Sequence, residues 1–170
     1  MINVVETASG GTNIYNYREY GTYDTTNIDK FLNRNETKTI LHVPNDVTYH
    51  DCDGAAYTAL TPNIFRSMKS YLPYVIEHIK VLLYNGQDDI IVNTPAAESW
   101  IKTIDWDGIN DYLEADKTVW MNEGKVAGYV RGYENLHQAV VLKSGHMVPY
   151  DQISNSIDML RRFMFNQGWE

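Results

Sequence analysis

The sequence predicts an α/β fold, and three observations carry that prediction. Val81-Leu82-Leu83-Tyr84 is a short apolar run closed by Asn85-Gly86, the pattern of a strand buried on both faces and ended by a turn. Ahead of it, apolar residues recur at three- and four-residue spacing, as along one side of a helix. Behind it lie three short β-branched or alternating segments separated by turn residues, as in an antiparallel meander or hairpin. Helix, strand, helix, hairpin, loop, helix makes one α/β domain over 1–170, or part of one.

Taken in order, residues 1–24 are polar and rich in Gly, Asn and Tyr; Ile14-Tyr15-Asn16-Tyr17 reads as extended and the rest as loop. Thr26 is placed to cap a short helix over Asp29, Phe31 and Leu32, and a second turn runs from Asn35 to Leu41. His42-Val43-Pro44 ends it, because the residue before a proline disfavours helical backbone. From Pro62, the series Ile64, Phe65, Met68, Tyr71, Leu72, Val75, Ile76 and Ile79 predicts an amphipathic helix. Pro62 suits its first turn, and Pro73 should kink or divide it.

Strand 81–86 follows directly. Pro95 then opens a helix through Ala96, Ala97, Trp100, Ile101 and Ile104, and a shorter one holds Ile109 to Ala115. Thr118 to Trp120, Val126 to Arg131 and His137 to Leu142 are the extended segments, with turns at Glu123-Gly124 and around Gly132 to Asn135. Gly145 to Pro149 is loop. Asp151 to Phe165 is helical, with Ile157, Leu160 and Met164 on one side and Arg161 and Arg162 favouring the dipole at its end.

Composition narrows the function classes. The 170 residues are 44% hydrophobic, enough to bury a core, and carry 14 basic against 22 acidic side chains, a formal net charge of -8. That balance argues against nucleic acid, whose binding needs clustered Lys and Arg, and it is tolerable in an acidic compartment. No apolar run is long enough to span a bilayer, and Met1 to Thr7 lacks the basic start and apolar stretch of a signal peptide. Cys52 is the single cysteine, so no disulfide closes within the chain and no thiol pair awaits a metal. It reads as a buried free thiol, the alternative being half of a bridge to another chain. His42, His50, His78 and His137 read as structural or exposed. With no helical i, i+4 pair among them, neither a metal nor another cofactor is expected.

Two places remain where chemistry is expected. Asp88-Asp89 leaves the turn after the 81–86 strand, and in α/β proteins reactive groups collect at the carboxyl ends of strands. Gly145-His146-Met147-Val148-Pro149-Tyr150-Asp151 presents a histidine from a later loop. Alone, the first is a solvated carboxylate pair and the second a loop histidine bonded to backbone. Together, in this order, they suit an acid that orients a base.

Four stretches give these residues a context. They are Phe31-Leu32-Asn33 with Leu41-His42-Val43; Val81 to Asp89 with Ile90-Ile91-Val92; Val126 to Arg131; and Gly145 to Gln152 with the closing Gly168-Trp169. Through them nearly the whole chain resembles the C-terminal part of the serine carboxypeptidases, a family of α/β hydrolases, and within it the vitellogenic-like carboxypeptidases. The resemblance implies the C-terminal part of an α/β-hydrolase fold. Asp89 matches the family's triad aspartate, His146 its histidine, and Met147 a residue that helps line the pocket for the leaving amino acid. Asp88 falls at a position the family leaves free. In α/β hydrolases the order is Ser, then Asp, then His; a carboxylate on one imidazole nitrogen holds the other ready to take the serine proton.

The departures are equally specific. The serines stand at 9, 67, 70, 99, 144, 154 and 156, and none sits in a Gly-x-Ser-x-Gly elbow. The oxyanion-hole donors that accompany that elbow, and the residues that grip a substrate carboxylate, are missing with it. Ile153 stands where the family usually has proline, and Val92 where some relatives carry cysteine. The resemblance therefore implies a serine-type carboxypeptidase acting on peptide C-termini, with the serine on an N-terminal segment or separate chain. A non-catalytic peptide- or protein-binding module, and an acyltransferase or hydroxynitrile lyase of the same fold, are the alternatives. The family also implies the secretory pathway, leading to lysosome, vacuole or extracellular space. There Asn35 of the sequon Asn35-Glu36-Thr37 would be a glycosylation acceptor.

Overall fold

The structure, a computed structural model, describes residues 2–64 and 66–169 and separates into two compact units. The first takes residues 1–21 and 68–170, the second 22–67.

The first unit opens with a helix, α1 (Ile2–Ser9), and two short antiparallel strands, β1 (Thr12–Asn13) and β2 (Asn16–Tyr20). The expected extended stretch is thereby redistributed. Ile14 and Tyr15 form the turn, the strands flank it, and residues 2–9 are helix rather than loop. Gly10 and Gly11 adopt positive φ between α1 and β1, a conformation glycine takes without steric cost.

Further on, past the helices α2 (Thr26–Leu32), α3 (Asn35–Ile40) and α4 (Gly54–Ile64) of the second unit, a single 3-10 turn (Lys69–Tyr71) leads into α5 (Leu72–His78). Then come β3 (Val81–Gly86), α6 (Thr94–Ile101), α7 (Ile109–Glu114), β4 (Thr118–Asn122), β5 (Lys125–Tyr133), β6 (Leu136–Val141), α8 (Val148–Asp151) and α9 (Ile153–Phe165). Four strands form one sheet in the order β3-β6-β5-β4. β4, β5 and β6 are the antiparallel meander, and β3 lies parallel to β6, Val81 facing Leu136 and Gly86 facing Val141. The β4–β5 connection is the two-residue turn Glu123-Gly124, both at positive φ, the geometry that matches strand twist in a tight hairpin.

Each face of the sheet carries its own core. On one, Trp120, Ala127, Val130, Ala139, Val141, Val148 and Met159 pack together, with Leu82 and Trp169 against them. On the other, Ile76, Ile101, Ile104, Trp106, Tyr112 and Leu136 form the centre. β6 supplies both in alternation, Leu136 and Gln138 to one side and Ala139 and Val141 to the other, as a pleated strand must. Asn93 caps α6 by accepting a hydrogen bond from Ala96 N at 2.9 Å, with a proline in its first turn. Ile104 lies beyond the end of α6 but is buried all the same.

Four expectations give way here. The series from Pro62 to Ile79 is divided, but ahead of Pro73 rather than at it: Pro62 lies in the last turn of the first helix instead of its first, residues 66–68 are non-helical, and α5 starts at Leu72 with Pro73 in its first turn. Proline begins a helix more readily than it continues one. Phe65, which contributed to the predicted period, lies outside the described residues. β3 is an edge strand in this sheet, with Val81, Leu82 and Leu83 half-buried, Tyr84 exposed and only Asn85 and Gly86 at its end buried, so its apolar run is not covered on both faces. Val148–Asp151, which begins in the expected loop, forms the separate short helix α8, and the last helix, α9, starts at Ile153 rather than Asp151. Its expected apolar side (Ile157, Leu160, Met164) is exposed, while Ser156 and Met159 face the core.

The second unit holds α2 (Thr26–Leu32), α3 (Asn35–Ile40) and α4 (Gly54–Ile64). The cap differs from expectation: Thr26 N donates to Asp24 Oδ1 at 3.0 Å, so Asp24, not Thr26, serves the first turn. Asn33 ties α2 to the following loop through both its amide atoms, donating to Tyr49 O and accepting from Tyr49 N. His42 takes positive φ just past α3, in agreement with a stop before Pro44. Cys52 is exposed rather than buried. Its neighbours His50, Asp51 and Asp53 are polar and provide nothing apolar to cover it.

Candidate functional site

The site is assembled where two neighbouring parallel strands end. Beyond the Gly86–Val141 pair, the loops after β3 and β6 stay bound to each other: Gln87 N donates to Val141 O at 2.9 Å and Asp88 N to Ser144 O at 2.8 Å. Gly86 permits this approach, since a Cβ there would meet the carbonyl oxygens of Ser144 and Gly145.

Within that frame the Asp89 carboxylate is held from both sides. Oδ1 accepts from Ile91 N at 2.9 Å and Val92 N at 3.0 Å, closing the acid turn around itself. Oδ2 accepts from His146 Nδ1 at 2.8 Å. The carboxylate is 4% exposed and the imidazole 37%, so the acid is buried behind a base that faces outward. With the proton on Nδ1, the Nε2 lone pair is the one left to take a proton. The Tyr15 ring lies beside the imidazole, centroids 5.4 Å apart.

The His loop is fixed by its own bonds. Gly145 N donates to Asp151 Oδ2 at 2.7 Å, and Ser144 Oγ, fully buried, donates to Val141 O. Ser144 therefore serves the loop as a structural hydroxyl. Met147 follows the histidine with an exposed side chain. Asn35, by contrast, belongs to the second unit, exposed at the first residue of α3 with Thr37 buried in the same helix.

Asp88, which the sequence left without a role, is fully buried. Its Oδ2 accepts from Arg18 Nε at 2.6 Å, while Oδ1 finds no partner among the described residues. The hydrogen bond and charge of Asp88 hold the Arg18 guanidinium above its ordinary value. Arg18 was invisible as a site residue in the sequence, as was Asn16, whose Nδ2 donates to Asp151 Oδ2 at 3.1 Å, because the first 24 residues show no clear period. Among the described residues no three His, Cys, Asp or Glu side chains stand close enough to hold a metal ion, and no helix is long and apolar enough to cross a membrane.

A mixed sheet with a buried strand-end aspartate bonded to a loop histidine is an α/β-hydrolase arrangement. The chain belongs to the serine carboxypeptidase family, whose profile matches residues 8–166. It is 39% identical over 140 residues to the probable serine carboxypeptidase CPVL of Dictyostelium discoideum, covering 81% of this chain and 28% of that protein. To the probable serine carboxypeptidase CPVL of Rattus norvegicus it is 36% identical over 170 residues, 97% of this chain and 35% of the other. The fold is that of Kex1(Δ)p, a prohormone-processing carboxypeptidase from Saccharomyces cerevisiae, with a TM-score of 0.76 at 24% identity. That match covers 91% of this chain and 36% of the yeast one. The chain thus spans about a third of the length of the relatives it matches.

Proposed function

We propose that this chain is the acid- and base-bearing segment of a serine-type carboxypeptidase, which releases C-terminal amino acids from peptides with a serine carried on an N-terminal segment or a separate chain. The 2.8 Å bond between Asp89 Oδ2 and His146 Nδ1 carries the reading. In that role His146 Nε2 takes the proton from the serine hydroxyl as it attacks the peptide carbonyl, and Asp89 stabilises the imidazolium that forms. The same imidazole then gives the proton to the leaving amine, and water repeats the cycle to free the acyl group. Met147, next to the base and exposed, would line the pocket for the departing residue in this reading.

An apolar stripe supports the need for a partner. Ile153, Ile157, Leu160 and Met164 lie along one side of α9, and all are exposed, a surface that water does not favour and a second segment would cover. The same stripe is what a purely binding descendant of the family would use, and activity separates the two readings. A fluorophosphonate probe is the direct test. The 170-residue chain alone should stay unlabelled, and adding the serine-bearing segment of a relative should give labelling and peptidase activity that His146→Ala abolishes. Labelling of the chain alone, or full activity in His146→Ala, would refute the assignment. The secretory route and a glycan at Asn35 belong to the same proposal.

A further inference from the structure

The β1–β2 turn does more than connect two short strands. Its successive carbonyls reach the two halves of the site: Ile14 O accepts from Ile90 N in the acid turn at 3.2 Å, and Tyr15 O accepts from His146 N at 2.6 Å. Two successive peptide units therefore span the distance between the loop of the acid and the loop of the base. Tyr17 N adds a bond to Asp88 O at 3.0 Å.

Side chains anchor this turn at both ends. Arg18 Nε meets the buried Asp88 carboxylate at 2.6 Å, one residue before the acid. Asn16, itself buried, donates from Nδ2 to Asp151 Oδ2 at 3.1 Å, the same oxygen that receives Gly145 N, one residue before the base. There is no slack on that side. A Cβ on Gly145 would run into Tyr15 O and Asn16.

We propose that the 14–18 turn is a positioning element for the Asp89–His146 pair, and that Arg18, Asp88 and Asn16 are the positioning residues that hold it in place. The two loops come from different strand ends, and the backbone bonds between them stop at Asp88 and Ser144, short of the reacting residues, which meet only through their side chains. The turn supplies the next bonds outward. Arg18 also sets a cation against the second carboxylate of the Asp88-Asp89 pair, which would otherwise place two negative groups side by side with only one of them bonded to the histidine. The inference rests on the reading of Asp89 and His146 as a working pair.

The test is the protection of the His146 Nδ1 proton from exchange with water, followed by NMR in the 15N-labelled 170-residue chain well below its melting temperature. The wild type should show a protected Nδ1 proton that Asp89→Asn loses. Arg18→Ala and Asn16→Ala should each speed its exchange at least tenfold, a factor of ten being about 1.4 kcal/mol of bond protection, with amide spectra still folded. Arg18→Lys, which keeps a cation at Asp88, should restore most of the protection; if Arg18→Ala does not fold, Asn16→Ala and Arg18→Lys decide. A residue that merely stabilised the fold would lower the melting temperature and leave the exchange below it unchanged. Protection present in the wild type, lost in Asp89→Asn and unaltered in the folded positioning variants overturns this inference alone. A wild type with no protected Nδ1 proton overturns the pair itself, and this inference with it.

Discussion

Gly86→Ala is the substitution that best tests how the site is held together. The added methyl would sit 2.5 Å from Ser144 O and 2.7 Å from the Gly145 carbonyl carbon, with the Gly145 oxygen nearer still. Side-chain Cβ atoms essentially never approach closer than 3.0 Å, so the His loop must retreat by at least about half an ångström. The obstructing atoms are backbone, and no rotamer change can clear them. Overpacking of this kind costs about 1–3 kcal/mol, which in a chain of this size lowers the melting temperature by roughly 2–12 °C. The retreat also draws His146 Nδ1 away from Asp89 Oδ2. In a reconstituted enzyme, a misplacement approaching 1 Å costs on the order of a hundredfold in rate. Calorimetry of wild type and variant, with the Nδ1 proton recorded by NMR, measures both effects. A variant melting within about 1 °C of wild type, its Nδ1 proton unchanged, would refute the argument that the two strand-end loops are in mutual contact at this point.

Three further outcomes are expected. Trp120 is fully buried and its Nε1 donates to Asp158 Oδ2 at 2.8 Å, so Trp120→Ala should cost about 3–5 kcal/mol in urea denaturation, and a loss under about 1 kcal/mol would contradict its central place in the core. Burial, and secondarily the nearby Lys80 ammonium, lower the proton affinity of His137. The unfolded chain therefore binds a proton there that the folded chain resists, and stability should decline as pH falls below the ordinary histidine value of about 6.5. His137→Gln should flatten that part of the stability–pH curve, and an identical slope in the variant would refute the attribution. Expressed behind a secretion signal, the chain should lose mass on enzymatic deglycosylation and Asn35→Gln should not; equal masses before and after treatment would remove Asn35 as an acceptor.

Much of the local structure was legible because it depends on neighbours in sequence. The 81–86 strand, the meander with its Glu123-Gly124 turn, the helix opened near Pro95 and the short α7 all follow from period and turn chemistry. The failures have a common cause. Pro62 and Pro73 were read within one period, although each is compatible with two helices, and nothing local says which apolar residues will find a partner. Ile157, Leu160 and Met164 repeat as a core face should, yet this chain buries Ser156 and Met159 instead, and it is Met159 that joins Trp120 and Val148 in the core.

By itself the sequence determined the family, the α/β class, and the order of an acid at the end of one strand followed by a histidine in a later loop. Only the tertiary structure decided that these side chains meet, 57 positions apart in the chain, and that Asp88 is a buried partner of Arg18 rather than a solvated neighbour. It alone brought a patternless N-terminal stretch between the two loops. Such contacts join residues 70 and 135 positions apart, and no period or motif encodes them, since they arise from strand register and from how closely two glycines let backbones approach.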